Sequence, residues 1–180
     1  MGTPKQLLLW REEPLIRHVA RLAIDSHLEP IIVVTGYHRL QVEMVLSGLP
    51  QVLGVYNPDW LIGQSTSIRS GLLWLKKDVE ACLFFMSDQP QIPLNLVKKI
   101  VNKYVRNHAP IIAPSVGGRR GNPVLFDRVT FKDLMKLTGN EGGRKLFDQY
   151  PVEYVEWKDA SILIDVDTMD NYQQLIGLDK

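Results

Sequence analysis

One stretch constrains the fold more than any other: Ala81-Cys82-Leu83-Phe84-Phe85-Met86, followed at once by Ser87-Asp88-Gln89-Pro90. A run apolar on both faces reads as a strand in the middle of a sheet, with helices above and below it. Pro90 cannot extend that strand. Sheets of this kind bind ligands outside the carboxyl ends of their strands. Asp88 is therefore expected as an exposed carboxylate at a strand end, where it can meet a metal or a phosphate. An ordinary turn Asp is the other reading of the residues.

The flanking segments suit such a sheet. Pro30 opens Ile31-Ile32-Val33-Val34-Thr35-Gly36, and Val52-Leu53-Gly54-Val55-Tyr56 stops at Asn57-Pro58-Asp59. Pro110-Ile111-Ile112-Ala113-Pro114 and Val124-Leu125-Phe126 are further strands, and Val152-Glu153-Tyr154-Val155 alternates with one wet face. Ile162-Leu163-Ile164-Asp165-Val166-Asp167 reads as the last strand. Helical spacing lies between them: Leu15, Ile16, Val19, Leu22 and Ala23 behind Pro14, and Leu94, Val97, Ile100, Val101, Tyr104 and Val105 behind Pro93. Ser65 or Thr66 is the expected N-cap of a helix carrying Ile68, Leu72 and Leu75, and Thr168 that of a closing helix. Strands alternating with helices imply an α/β sandwich with a mainly parallel sheet. With 180 residues and neither linker nor repeat, one domain is expected.

Charge and composition exclude some partners. A net charge of +1 offers no basic field for nucleic acid, so anion recognition must be local. No apolar run approaches the ~20 residues of a membrane span. Met1 to Gln6 lack a signal-peptide pattern, so a reducing cytoplasm is the expected setting. Cys82 is the single cysteine; it cannot form an internal disulfide and reads as core packing. His18, His27, His38 and His108 show no zinc-type spacing, and no Walker A or GxGxxG sequence occurs.

Candidate chemistry gathers at a few places. Asp165 and Asp167, two apart, share a face. Together with Asp88 they suit a hard cation such as Mg²⁺, which takes carboxylate oxygens and keeps waters for substrate phosphates; helix capping ahead of Thr168 is the other reading. Gly117-Gly118-Arg119-Arg120-Gly121 combines close backbone approach with guanidinium groups that bind anions, or is a solvated surface turn. Gly139 to Arg144 ends at a helix start, which is either an anion site or a tight turn. Ser65, Thr66 and Ser67 can donate to a ligand or act as plain caps.

These pieces, in this order, resemble the MobA/MocA-like nucleotidyltransferases, and among them the molybdenum cofactor cytidylyltransferases. Met1-Gly2-Thr3-Pro4-Lys5-Gln6-Leu7-Leu8 resembles the end of that family's Leu-Ala-Ala-Gly-x-Ser-x-Arg-Met-Gly-x-Pro-Lys-x-Leu-Leu motif. Asn57-Pro58-Asp59-Trp60 with Gly63-Gln64-Ser65-Thr66-Ser67-Ile68-Arg69-Ser70-Gly71 resembles Gly-Met-Ser-x-Ser-x-x-x-Gly, and Ser87-Asp88-Gln89-Pro90 resembles Gly-Asp-Gln-Pro. Arg120-Gly121-Asn122-Pro123-Val124 resembles Arg-Gly-His-Pro-Val, Gly139-Asn140-Glu141-Gly142-Gly143-Arg144 resembles Gly-Asp-x-Gly-Ala-Arg, and Asp165-Val166-Asp167-Thr168 resembles the start of Asp-Ile-Asp-Thr-Pro-Glu-Asp. Ser87, Asn122 and Asn140 depart from the pattern, the last two on the pterin side.

The resemblance implies a Rossmann-like three-layer sandwich with a mainly parallel, mixed central sheet of the nucleotide-diphospho-sugar transferase type. It implies transfer of CMP from CTP (GTP or ATP in relatives) to molybdopterin, with Mg²⁺ as cofactor and pyrophosphate released. A molybdenum hydroxylase apoenzyme would be a downstream partner. Carried over by position, Lys5 would neutralise phosphate charge and Asp88 would hold the metal with Asp167 or Asp165. Ser65 and Ser67 would lie against the nucleotide, and Arg119, Arg120, Asn122 and Arg144 would face the pterin phosphate. Such an in-line transfer needs positioning and charge neutralisation rather than a protein nucleophile. Two alternatives remain at this stage: a non-catalytic carrier or insertion chaperone for the molybdenum cofactor, and transfer to a sugar phosphate. The resemblance also leads us to expect Met1 to be internal to a longer protein. A first strand and glycine-rich loop would precede it and pair beside Ile31 to Thr35 and Ala81 to Met86.

Overall fold

The computed structural model describes residues 4–178. Met1, Gly2 and Thr3 of the first motif lie outside the described residues. A short hairpin, β1 (Leu9–Trp10) with β2 (Glu13–Pro14), leads into helix α1 (Leu15–Asp25). Then follow β3 (Ile31–Thr35), α2 (Arg39–Leu46), β4 (Val52–Tyr56), α3 (Gln64–Leu72), β5 (Ala81–Phe84) and α4 (Leu94–Asn107). The chain continues through β6 (Ile111–Val116), β7 (Arg119–Arg120), β8 (Val124–Asp127), α5 (Phe131–Leu134), β9 (Val152–Glu156) and α6 (Met169–Gly177).

The strand pleat sorts side chains into three layers. Ile112 and Leu125 pack with Leu96, Val97 and Ile100 of α4 on one face. Their neighbours Ile111, Ala113, Val124 and Phe126 pack with Leu134, Leu146, Ile68 and Leu72 on the other. Strand pairing is mixed: β3 runs parallel to β4 and β6 to β9, whereas β8 is antiparallel to both β5 and β6. No helix among the described residues is long and apolar enough to cross a membrane.

Two expectations are corrected. The Ala81 run is a strand, but it does not stand mid-sheet. Among the described residues β5 pairs only with β8 and β3 only with β4, so the strands fall into separate groups. Ile31–Thr35 and Ala81–Phe84 line the same cavity, of about 1120 Å³. The second correction concerns Ile162 to Asp167. Ala160–Leu163 forms a 3₁₀ turn and residues 164–167 are irregular. Asp159 accepts a hydrogen bond from the Ser161 amide and starts the turn, while Gln91 Nε2 donates to the Ser161 and Ile164 carbonyls at 3.0 and 2.8 Å. Side-chain bonds thus take the backbone groups that a ladder would have used.

A strand with one bare edge opens more readily than one paired on both sides. Amides of β3 and β5 are expected to exchange with solvent on the order of 100-fold faster than those of β6, which lies between β8 and β9. Hydrogen-exchange mass spectrometry checks this. Equal protection of the three strands would contradict the split sheet.

Candidate active site

Packing brings distant segments to one place. Trp10, Leu15, Val166 and Leu175 form a buried cluster with Leu8 and Tyr172 against it. It ties the start of the chain to the segment before α6. Tyr172 Oη donates to the Leu9 carbonyl at 2.5 Å, and a Thr168–Asn171 capping box starts α6 as the sequence predicts. Lys5 begins a single 3₁₀ turn, Lys5–Leu7, beside this cluster.

Asp88 lies in the turn after β5 and is buried, 4% exposed, contrary to the exposed carboxylate expected from sequence. The Val166 amide donates to its carbonyl at 3.4 Å, which pins the turn to the Asp165–Asp167 segment. The Lys5 ammonium stands between two carboxylates, 2.5 Å from Asp88 Oδ2 and 2.8 Å from Asp167 Oδ1. Burial opposes the Lys5 charge, but the hydrogen bonds to Asp167 and Asp88 outweigh it and hold Lys5 above its ordinary value. Asp165 shares the outward face with Asp167 and accepts Gln89 Nε2 at 2.6 Å. Partial desolvation, then the charges of Asp88 and Asp167, push Asp165 above its ordinary value.

Among the described residues no three His, Cys, Asp or Glu side chains gather closely enough to hold a metal unaided. The donor set nevertheless fits a hard divalent cation, which needs only one or two carboxylates when substrate phosphates and waters complete its shell. A positive charge, the Lys5 ammonium, already bridges Asp88 and Asp167.

Ser65 and Ser67 sit on α3. Its N-cap is Gly63, not Ser65 or Thr66, because Thr66 Oγ1 turns back to the Gly63 carbonyl at 2.8 Å. Ser65 is fully buried and its hydroxyl has no partner, whereas Ser67 lines the cavity. Asn57, read from sequence as a strand breaker and part of a family-like segment but given no role, organises this end: Nδ2 donates to Thr66 Oγ1 at 2.8 Å and Ser67 Oγ at 3.1 Å. Its Oδ1 accepts the Asp59 amide at 3.0 Å. An Asn directly after a strand and before Pro was the available signal.

The arginines line the same cavity as Ser67. Gly117 and Gly118 both take positive φ, so Ser115–Arg120 is a tight hairpin rather than an open loop. Arg119 is exposed, and Arg120 turns inward to lie 3.9 Å over the Phe147 ring. Burial, then the nearby Arg144 charge, pulls Arg120 below its ordinary value. It remains a cation. Arg119, Arg120, Asn122, Arg144, Ser67 and Asp165 all line the one cavity. Lys5, Asp88 and Asp167 adjoin it through their neighbours Gln6 and Gln89, which also line it.

The model of the MobA-like NTP transferase domain matches residues 1–154. The chain belongs to this family. Molybdenum cofactor cytidylyltransferase of Escherichia coli K12 is 25% identical over 175 residues, which is 96% of this chain and 86% of that protein. The structure of Rv0371c from Mycobacterium tuberculosis superposes with a TM-score of 0.86 at 24% identity, covering 98% of this chain and 90% of that one. That mycobacterial protein has also been crystallised with manganese. Its homologue from Mycobacterium sp. strain JC1 gives a TM-score of 0.84 at 27% identity, covering 99% and 89%. The fold is thus that of the family's nucleotidyltransferases, a three-layer α/β sandwich with a mixed sheet.

Proposed function

We propose that the chain transfers CMP from CTP to the terminal phosphate of molybdopterin and releases pyrophosphate. The observation that carries this reading is two unlike charge centres at one cavity: Lys5 with Asp88 and Asp167, which adjoin it through Gln6 and Gln89, and Arg120 with Arg144, which line it. One suits a triphosphate with its metal and the other a phosphate monoester. The cytidylyltransferase relative supports CTP and molybdopterin, and the manganese complex of the mycobacterial protein supports a divalent metal, for which Mg²⁺ is our choice.

In the proposed reaction an acceptor phosphate oxygen attacks the α-phosphorus of CTP. The bond from that phosphorus to the bridging oxygen of the β-phosphate breaks, and both electrons leave with pyrophosphate. When bound, the metal would neutralise charge on the α- and β-phosphates. Asp88 and Asp167 would hold it, with Asp165 beside them. Lys5 would bring a further positive charge to the leaving side. Ser67, fixed by Asn57, would orient the nucleotide, and Ser65 would support that end. Arg119, Arg120 and Arg144 would hold the acceptor phosphate in line, with Asn122 at the cavity wall. No side chain needs to become covalently attached.

Pyrophosphate release tests the reading. Release is expected with CTP and molybdopterin together and not with CTP alone. Turnover with a sugar phosphate and no pterin would overturn the choice of acceptor. Replacing Arg119 and Arg120 by Ala is expected to weaken molybdopterin binding on the order of 10- to 100-fold, the scale of one or two charge-assisted hydrogen bonds, with CTP affinity little changed. Fluorescence titration of each ligand separates the two, and equal weakening would count against the assignment.

A further inference from the structure

We propose that Lys5 and the divalent metal are alternative occupants of the same carboxylate pair, so that the metal enters with the nucleotide and not as a free ion. This rests on the reading of Asp88 and Asp167 as metal ligands. The Lys5 ammonium already contacts both, at 2.5 Å from Asp88 Oδ2 and 2.8 Å from Asp167 Oδ1. A small divalent ion binds carboxylate oxygen at about 2.0–2.1 Å and demands a nearly regular shell of six oxygens. An ammonium seated on the same two oxygens occupies part of that shell and repels the ion at contact distance.

Surroundings make the competition steep. Asp88 is buried, so an opposing charge is required there, and only one of the two cations can lie against its Oδ2. Lys5 is less confined, with 39% of its side chain exposed, and its long stem gives it somewhere to go. Leaving the carboxylates costs the ammonium its two partners. That cost is offset only when another anion is at hand, and the triphosphate arriving with its metal is such an anion. A metal–nucleotide complex thus offers one charge to the carboxylates and another to the displaced lysine. A bare metal ion offers only the first. The hydrogen bonds that keep Lys5 charged therefore also act as a gate against free metal.

Free Mn²⁺ is the probe, followed by electron paramagnetic resonance in the absence of nucleotide. Lys5→Met is expected to bind Mn²⁺ at least 10-fold more tightly than the unaltered chain, while Lys5→Arg, which keeps the charge, stays as weak as the unaltered chain. Asp88→Asn is expected to bind no better than the unaltered chain, and adding Asp88→Asn to Lys5→Met should abolish the gain. Circular dichroism establishes that each variant is folded. If a folded Lys5→Met chain binds Mn²⁺ no more tightly than the unaltered one, the exclusion is wrong. If the gain survives in the double variant, the metal does not sit on Asp88 and the metal-site reading itself falls. Those two failures are distinguishable.

Discussion

Asp88→Asn is expected to slow metal-dependent transfer on the order of 10³-fold, the loss typical of removing one preorganised stabiliser of developing charge. The substitution keeps the shape of the side chain and leaves untouched the backbone carbonyl that accepts from the Val166 amide. What it removes is the negative charge against which Lys5, or a metal, is held. Asn is the informative choice because Asp88 is buried: truncation to Ala would leave a hole as well as an unbalanced ammonium. Lys5 keeps Asp167 in the Asn variant, so the stability loss should be about 1–2 kcal/mol, a few degrees in melting temperature for a chain of this size. Pyrophosphate release and a thermal melt measure the two effects. Turnover within about 10-fold of the unaltered chain would remove Asp88 from the chemistry, and a collapsed melt would make its role structural.

Gly63→Ala is expected to have the largest effect on the fold. Gly63 has φ 130° and ψ −177°, a conformation essentially restricted to glycine and costing other residues about 1–3 kcal/mol. A Cβ there would also stand 2.4 Å from both the carbonyl carbon and oxygen of Gly139, and 2.5 Å from Asn140 Oδ1. Backbone cannot swing aside as a side-chain tip can, so the loop from Gly139 must leave α3. With it goes the bond from the Ser65 amide to the Gly139 carbonyl, 3.1 Å long. Strain and collision together should cost about 3 kcal/mol or more, or roughly 6–12 °C in melting temperature. Gly48→Ala is the control: φ is also positive, 82°, but nothing lies within 4 Å of an added Cβ. It should lose only about 1 kcal/mol. Equal losses in the two variants would mean that the contact between the Gly139 loop and α3 does not matter.

The contrast between these residues shows what could be read from the chain. Periodicity located α4, because Val97, Ile100 and Tyr104 of the expected stripe are buried; it missed the buried Leu96 and wrongly included Val105, which is exposed. It could not place β5 within the sheet, since an apolar run records how much surface is covered and not which strand lies alongside. It also mistook Ile162 to Asp167 for a strand. Ile162 and Val166 are both fully buried, but in a turn held by distant glutamines whose reach no local pattern reveals.

The candidate site divides in the same way. Lys5, Asp88 and Asp167 were singled out by motif and do meet in space. The arginine pair was visible in Gly117-Gly118-Arg119-Arg120, but the hairpin that holds it and the Phe147 ring under Arg120 were not, because the ring contact spans sequence-distant elements. Asn57 and Gly63 were each legible as residue types and not as functions. One is defined by the hydroxyls it reaches, and the other by the backbone that passes 2.4 Å from where a side chain would begin.

Calorimetric titration of the chain with CTP, in the presence and absence of Mg²⁺, tests the central claim most directly. The charge centre at Lys5, Asp88 and Asp167 predicts CTP binding at least 10-fold tighter with the metal than without it. It also predicts that Asp88→Asn erases the difference. CTP binding that ignores the metal, or a metal effect that survives in Asp88→Asn, would contradict it.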